Sequence, residues 1–485
     1  MLMSEFGVLC HITCLNNSYG LGDFGKTAYE FVDFLKKIGA TVWEVLPLNL
    51  TNDFNCPYGA MSIFSFDEMF VDLEELCHMK LLNKKQLFCL KKYRNSDKVN
   101  FSQIKPKKLE LFECAYKNLK EKTFLEEYSK KEKCVLDYAY WRVLLEVFGV
   151  SDWHLLDKKF WNRNSSAGKK FSLEHKEEIL KYVFFQYILQ KQWQNLKDYA
   201  NKNGVKIFGD VPAYCDKASV EVFFNPKYVK LNKAFLPLAT GGAPADEMCC
   251  DMQDWGTCVY DWEVLKKKNY AYLIERIKRL LERYDILRLD HFMAYVEHFE
   301  IPKEGKRKPQ FVKAGGKEFF EKLSRKVSFE KLVVEDIGVV TKECQEVIKN
   351  FQLTRMKVLQ FAFETNEKNP HLPEFAGKDC VYYTETHDSN TFMGFLKKLD
   401  NKQLLKVENL LDCKSKNLKQ IQVSAIKKVL SSNAKIAMIP IQDLMFLDER
   451  FRMNIAGTAA GCWEYRLQNN FRKKIILNMK KYFKR

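Results

Sequence analysis

Short apolar runs, rich in β-branched and aromatic residues, recur along the chain: GVLCHIT (7–13), TVWEVLPL (41–48), VKIFGDVP (205–212), ILRLDHF (286–292), LVVEDIG (332–338), KVLQFAF (357–363), CVYYTETHD (380–388) and KIAMIPIQD (435–443). Their near-continuous hydrophobicity is what strands of a parallel sheet buried on both faces require. Between many of them the period changes to that of amphipathic helices, as in YAYLIERIKRLLERY (270–284) and GKEFFEKLSRKV (316–327). Strand–helix alternation predicts βαβ units, and eight of them predict an α/β protein built as a (β/α)8 barrel.

The spacing of the runs is uneven. A long, charged, helix-patterned stretch separates the second and third, and a small-residue loop, LATGGAPADEMCCDMQDWGTC, follows the third. These read as insertions at the top of a single barrel domain spanning 1–485. One is a largely helical insertion at 49–204, the other a loop insertion at 213–269. No separate C-terminal β-domain is expected.

Composition narrows the possible partners. The formal net charge is +17, but the basic residues are dispersed and no RNA- or DNA-binding signature accompanies them, so a nucleic-acid partner is not expected. No run approaches the roughly 18 apolar residues of a membrane span. The start, MLMSEFGVLCHITC, lacks the features of a secretory leader. Fifteen cysteines show no C-x-x-C pair and several sit in apolar runs, which reads as reduced thiols in a cytoplasmic protein rather than a disulfide or zinc framework. GLGDFG (20–25) matches the glycine pattern of dinucleotide-binding turns. However, LNNSY separates it from the preceding strand and Glu44 lies inside a strand instead of at its tip, so a nicotinamide cofactor is not expected.

The candidate chemistry lies at the strand ends. Asp210, the group Arg288–Asp290–His291, Glu335 with Asp336, and Glu385–His387–Asp388 all fall at or near the carboxyl ends of apolar runs. Barrel enzymes place catalytic groups there, and charged side chains in apolar strands are costly unless paired or functional. Arg288 and Asp290 share one side of a strand, so the guanidinium can hold the carboxylate. Carboxylates without metal-ligand spacing suit glycoside chemistry, in which one attacks the anomeric carbon and a second, protonated, donates to the leaving oxygen. A divalent-metal site is the alternative use, but histidines are too sparse for it. Aromatics in the inserted loops, among them Tyr58, Trp255, Tyr260, Trp262 and Trp463, are candidates for stacking on sugars.

Blocks in a fixed order strengthen this reading. YGLGDFG, LPLNLTNDFNCPYGAMSIFS, KIFGDVPAY, GGAPADEMCCDMQDWG, YDWE, ILRLDHF, VVEDIGVVT, MKVLQFAF, YYTETHDSNT, IPIQDL and RMNIAGTAAGCWEYR resemble, nearly end to end, the 4-α-glucanotransferases known as amylomaltases or disproportionating enzymes (glycoside hydrolase family 77). The resemblance implies transfer of α-1,4-glucan segments between maltooligosaccharides, with no cofactor and no metal. It implies Asp290 as nucleophile, Glu335 as general acid/base and Asp388 as the group gripping sugar hydroxyls. Tyr58, Asp210, Asp246, Gln253, Trp255, Arg288, His291, His387, Asn454 and Gly457 would contact substrate. An α-glucan hydrolase and a glycan-binding relative without catalysis are the alternatives. The chain departs from the family pattern at Glu385 (usually Gly), Ser389–Asn390 (usually Asn-Asp), Met293, Ala294, Thr257, Cys258, Ala456, Cys462 and in CDKASVEVF after Tyr214.

Overall fold

Eight parallel strands close into a barrel in the computed structural model, which describes residues 4–245, 251–338, 340–363, 369–458 and 461–482. They are β1 (Glu5–Leu9), β2 (Val42–Glu44), β3 (Lys206–Val211), β4 (Ile286–Leu289), β5 (Leu332–Val334), β6 (Thr354–Val358), β7 (Cys380–Tyr383) and β8 (Ile436–Pro440). Each pairs with its neighbour in the chain, and β1 closes onto β8 with Gly7 opposite Met438. Seven of the eight strands fall wholly or largely within the apolar runs, because a strand covered on both faces must be apolar at successive positions. The helix Lys26–Ile38 buries Ala28, Phe31, Val32 and Leu35 at helical spacing and stops where Gly39 turns left-handed at φ +78°. Full burial of a side chain such as Leu35 contributes about 1.5–3 kcal/mol.

The sixth strand corrects the sequence reading. It spans Thr354–Val358, and the apolar stretch Leu359–Phe363 is a 3₁₀ turn beyond it. The reason is a polar pairing that hides in the sequence. Asp336, at the end of β5, accepts from Arg355 Nε at 2.5 Å and from the Met356 backbone N–H at 3.1 Å. That neutralises a charged residue within β6, so the strand begins in a stretch, TRMK, that looks polar.

Between β2 and β3 the chain forms the antiparallel pair Asn49–Thr51 with Ala60–Phe66, then a series of helices. The last of these, Lys176–Lys202, packs against Lys26–Ile38 and β3 and so stands in the ring around the barrel. After β3, strands Ala239–Ala243 and Gln253–Cys258 pair. They join Glu297–Pro302 and Gln310–Lys313, which follow β4, in a four-stranded antiparallel sheet. The sequence pattern revealed neither of those last two strands. Among the described residues no strand follows β8; the chain returns through the helix Phe471–Tyr482, which packs on Lys26–Ile38.

The GLGDFG glycines serve packing. Gly20 adopts φ +84°, and a Cβ on Gly22 would stand 1.9 Å from the Ile12 carbonyl oxygen. Glu44 lies inside the barrel, accepting a hydrogen bond from the Tyr383 hydroxyl at 3.0 Å.

Candidate active site

The register of β3 and β4 sets Asp210 directly beside Arg288. Arg288 Nη1 donates to Asp210 Oδ2 at 2.7 Å and to Asp290 Oδ1 at 2.9 Å, and lies 3.4 Å from the Tyr58 hydroxyl. Arg288 is only 3 % exposed, so one buried cation serves two carboxylates. Burial pushes the Asp210 carboxyl up to about 6, against the pull of Arg288. Tyr58 is delivered by the turn before Ala60–Phe66. Its hydroxyl donates to Asp210 Oδ2 at 2.7 Å and stands 2.8 Å from His387 Nε2. Its ring lies on the His387 imidazole with centroids 5.3 Å apart and planes 10° apart, so one face of Tyr58 is already taken.

Beyond β7, His387 Nε2 is 3.1 Å from Asp388 Oδ2. Asn454 Nδ2 donates to Asp388 Oδ1 at 2.7 Å. Burial acts to raise the Asp388 carboxyl, but His387 and Asn454 outweigh it and hold the group well below the ordinary carboxylate range. Burial acts to lower His387, and Asp388 reverses that, so the imidazole is shifted upward.

Glu335 follows β5 immediately, as Asp290 follows β4. The two chain ends are tied together. The His291 backbone N–H donates to Glu335 Oε2 at 2.7 Å, and the Phe292 N–H donates to the Glu335 carbonyl at 3.1 Å. Ile337 N–H donates to Oε1 at 3.1 Å. Burial raises the Glu335 carboxyl to about 7; Arg288 opposes the shift and Asp290 adds to it. His291 makes the turn with a left-handed backbone, φ +43°. The edge-to-face contact of its ring with Trp255, at 4.7 Å, brings the loop sheet to the site. Trp255 donates Nε1 to Gln253 Oε1 at 3.2 Å and is 37 % exposed, which leaves ring surface for a ligand.

Asp290, Glu335, Asp388, Tyr58, Asp210, Arg288, His291, His387 and Asn454 therefore form one contiguous group, with Gln253 and Trp255 attached through His291. Gly457 occupies an exposed turn at φ +77° three residues beyond Asn454. Asp246 lies outside the described residues. Among the described residues no group of three or more His, Cys, Asp or Glu side chains is arranged to hold a metal ion.

Sequence reasoning missed Arg452, which donates Nη2 to the Asp388 carbonyl at 2.8 Å and Nε to the Asn454 carbonyl at 3.0 Å. Its signal was its place two residues before Asn454. Glu385 is buried. Burial and the neighbouring Asp443 push its carboxyl well above the ordinary value, although Ser389 Oγ donates to it at 3.2 Å.

A closed parallel eight-stranded barrel that gathers Asp290 and Glu335 at adjacent strand ends has the layout of a barrel enzyme, with its polar groups at the carboxyl ends of the strands. The sequence profile of the 4-alpha-glucanotransferase family matches residues 10–472. The 4-alpha-glucanotransferase of Aquifex aeolicus is 34 % identical over 96 % of both chains. The chloroplastic/amyloplastic 4-alpha-glucanotransferase of Arabidopsis thaliana is 32 % identical over 96 % of this chain and 81 % of its own. The amylomaltase of Streptococcus agalactiae, solved in complex with acarbose, superposes with a TM-score of 0.92 at 28 % identity, covering 99 % of each chain. The chain belongs to the 4-alpha-glucanotransferase family. No helix among the described residues is long and apolar enough to cross a membrane.

Proposed function

We propose that this 4-alpha-glucanotransferase moves α-1,4-glucan segments between maltooligosaccharides by a retaining double displacement on Asp290 and Glu335. The carrying observation is the tie between the two strand ends: the residue after Asp290 gives its N–H to the Glu335 carboxyl at 2.7 Å. This tie supports a reading in which the two carboxyl groups act on one reacting centre, as in a retaining pair.

In the first step Asp290 attacks the anomeric carbon, the C1–O4 bond breaks, and Glu335 gives its proton to the departing O4. A carboxyl raised to about 7 retains that proton near neutrality. In the second step Glu335 takes the proton of an acceptor 4-hydroxyl, whose oxygen bonds to C1 as the bond to Asp290 breaks. Arg288 orients Asp290 through its 2.9 Å contact. Asp388, kept anionic by His387 and Asn454, accepts hydrogen bonds from sugar hydroxyls and favours the distorted ring. Tyr58 and Arg288 brace the carboxylates, and Trp255 with Gln253 forms the platform for the glucan chain. Exclusion of water from this cleft sets transfer over hydrolysis.

Incubation with maltotriose tests the proposal. A ladder of longer maltooligosaccharides plus glucose, with total reducing ends nearly constant, is expected. Rising reducing ends would make the chain a hydrolase, and no turnover would make it a binding protein. Asp290→Asn should stop transfer while the far-ultraviolet circular dichroism stays unchanged; a fully active variant would refute the nucleophile assignment.

A further inference from the structure

A cavity of about 480 Å³ opens outside the strand-end site, with none of Tyr58, Asp210, Arg288, Asp290, Glu335 or Asp388 in its wall. It lies where the helix Lys133–Phe148, the strand Ala60–Phe66, the helix Val220–Phe224 and the helix Ala271–Arg283 meet. Its volume falls within the ~300–1,000 Å³ of ligand pockets. Five half-buried rings, Phe64, Trp161, Phe224, Tyr228 and Tyr272, line it.

Its charged groups balance. Lys133, Arg163 and Arg279 face Asp137, Glu221 and Glu275. Four of the six are paired with one another: Arg163 with Asp137 at 2.6 Å and Arg279 with Glu275 at 2.8 Å. A charged ligand would find no net counter-charge here. Glu221 is 5 % exposed. Its Oε1 accepts from Ile63 N–H at 2.8 Å and Ser62 Oγ at 3.3 Å, whereas its Oε2 has no hydrogen-bond partner. Leaving a buried acceptor unpaired costs about 1–3 kcal/mol, and a hydroxyl donor is the group that relieves it. Aromatic faces combined with largely paired charges and an unpaired buried acceptor match a sugar ring, which has apolar C–H faces and a rim of neutral hydroxyls.

We propose that this cavity is an accessory site for a neutral glucosyl unit, separate from the catalytic cleft. The choice of glucose over another neutral polyol rests on the glucanotransfer reading. The strand forming one wall starts two residues after Tyr58, so an occupant also braces the segment that delivers Tyr58.

Calorimetric titration of Asp290→Asn with maltotriose tests this, with product chromatography of the same samples reporting any residual turnover. Two binding events are expected. Trp161→Ala in that background should weaken one event at least tenfold and leave the other within twofold. Trp161 also packs on Trp153 and Phe235, so Cys134→Phe is the second variant: it fills the cavity from the helix side and removes no ring. Glucose, which cannot be a donor, is titrated in parallel. Heat from glucose that Cys134→Phe removes identifies a free sugar as occupant, and heat seen only with maltotriose identifies a glucan chain. A single event in the parent, or two events untouched by both variants, would overturn the accessory site. Turnover by Asp290→Asn would count instead against the nucleophile assignment.

Discussion

Replacement of Glu335 by Gln probes the point on which the mechanism turns. The acid must be protonated when the C1–O4 bond breaks. Burial raises its carboxyl to about 7, even though two backbone N–H groups and Arg288 favour the anion. Taking that value, the free enzyme holds the proton in roughly nine molecules of ten at pH 6, half at pH 7 and about one in a hundred at pH 9. The kcat/KM for maltotriose should therefore fall about tenfold per pH unit above 8 and about ninetyfold between pH 6 and pH 9, since this ratio reports groups of the free enzyme. Glutamine has the same shape and keeps an acceptor for the His291 N–H, but it cannot give a proton to O4. Its kcat/KM at pH 6 should drop by about 10²–10⁴-fold, and its alkaline limb should vanish. Initial rates of glucose release from maltotriose, measured from pH 5 to 9 for both proteins, supply both readouts. A wild-type profile flat from pH 6 to 9 would refute the argument from burial. A Gln variant within tenfold of wild type, with the same limb, would remove Glu335 from the acid role.

Arg288→Met should lower the urea-unfolding free energy by about 3–5 kcal/mol, because it strands Asp210 and Asp290 without their shared cation. In an Asp210→Asn background the loss should shrink by about 1–3 kcal/mol, and strict additivity would contradict the shared-cation reading. Glu385→Gln should melt at the same temperature as wild type at pH 5 and higher at pH 8. The carboxyl is raised in the fold, so its protonated form supports stability at low pH, and that support is lost as pH rises above the unfolded value of 4.5. Parallel melting curves across that range would exclude it. Asn454→Ala removes the 2.7 Å donor to Asp388 and should lower kcat about ten- to a hundredfold with little change in KM; a change confined to KM would show that Asn454 only binds.

What the sequence could and could not reveal follows from how each feature is held. Barrel strands are covered on both faces, so their apolar runs carry the signal within the strand itself, and seven of the eight were legible in place. β6 was misplaced because Arg355 is neutralised by Asp336, nineteen residues earlier, an interaction with no local trace. The strand Gln310–Lys313 is only four residues long and largely exposed, and its pairing with Glu297–Pro302 is what makes it a strand. At the site, charge within an apolar run marked Asp290, Glu335 and Asp388, since an ionised group there is costly without a purpose. The same signal marks Asp443 at the end of IPIQD, yet Asp443 is fully buried. It accepts from Thr384 Oγ1 at 2.6 Å, from Phe392 N–H at 3.0 Å and from Gln422 Nε2 at 3.3 Å. Those donors take three of its roughly four lone-pair sites, and its full burial keeps it out of a substrate's reach. Glu335 also receives two backbone N–H groups, but it is only partly buried and stands beside Asp290. A strand-end carboxylate is thus a candidate by its position in the sequence. Which donors claim its oxygens, and which carboxylate shares its strand end, separates a group that holds the barrel together from one that can act on a sugar.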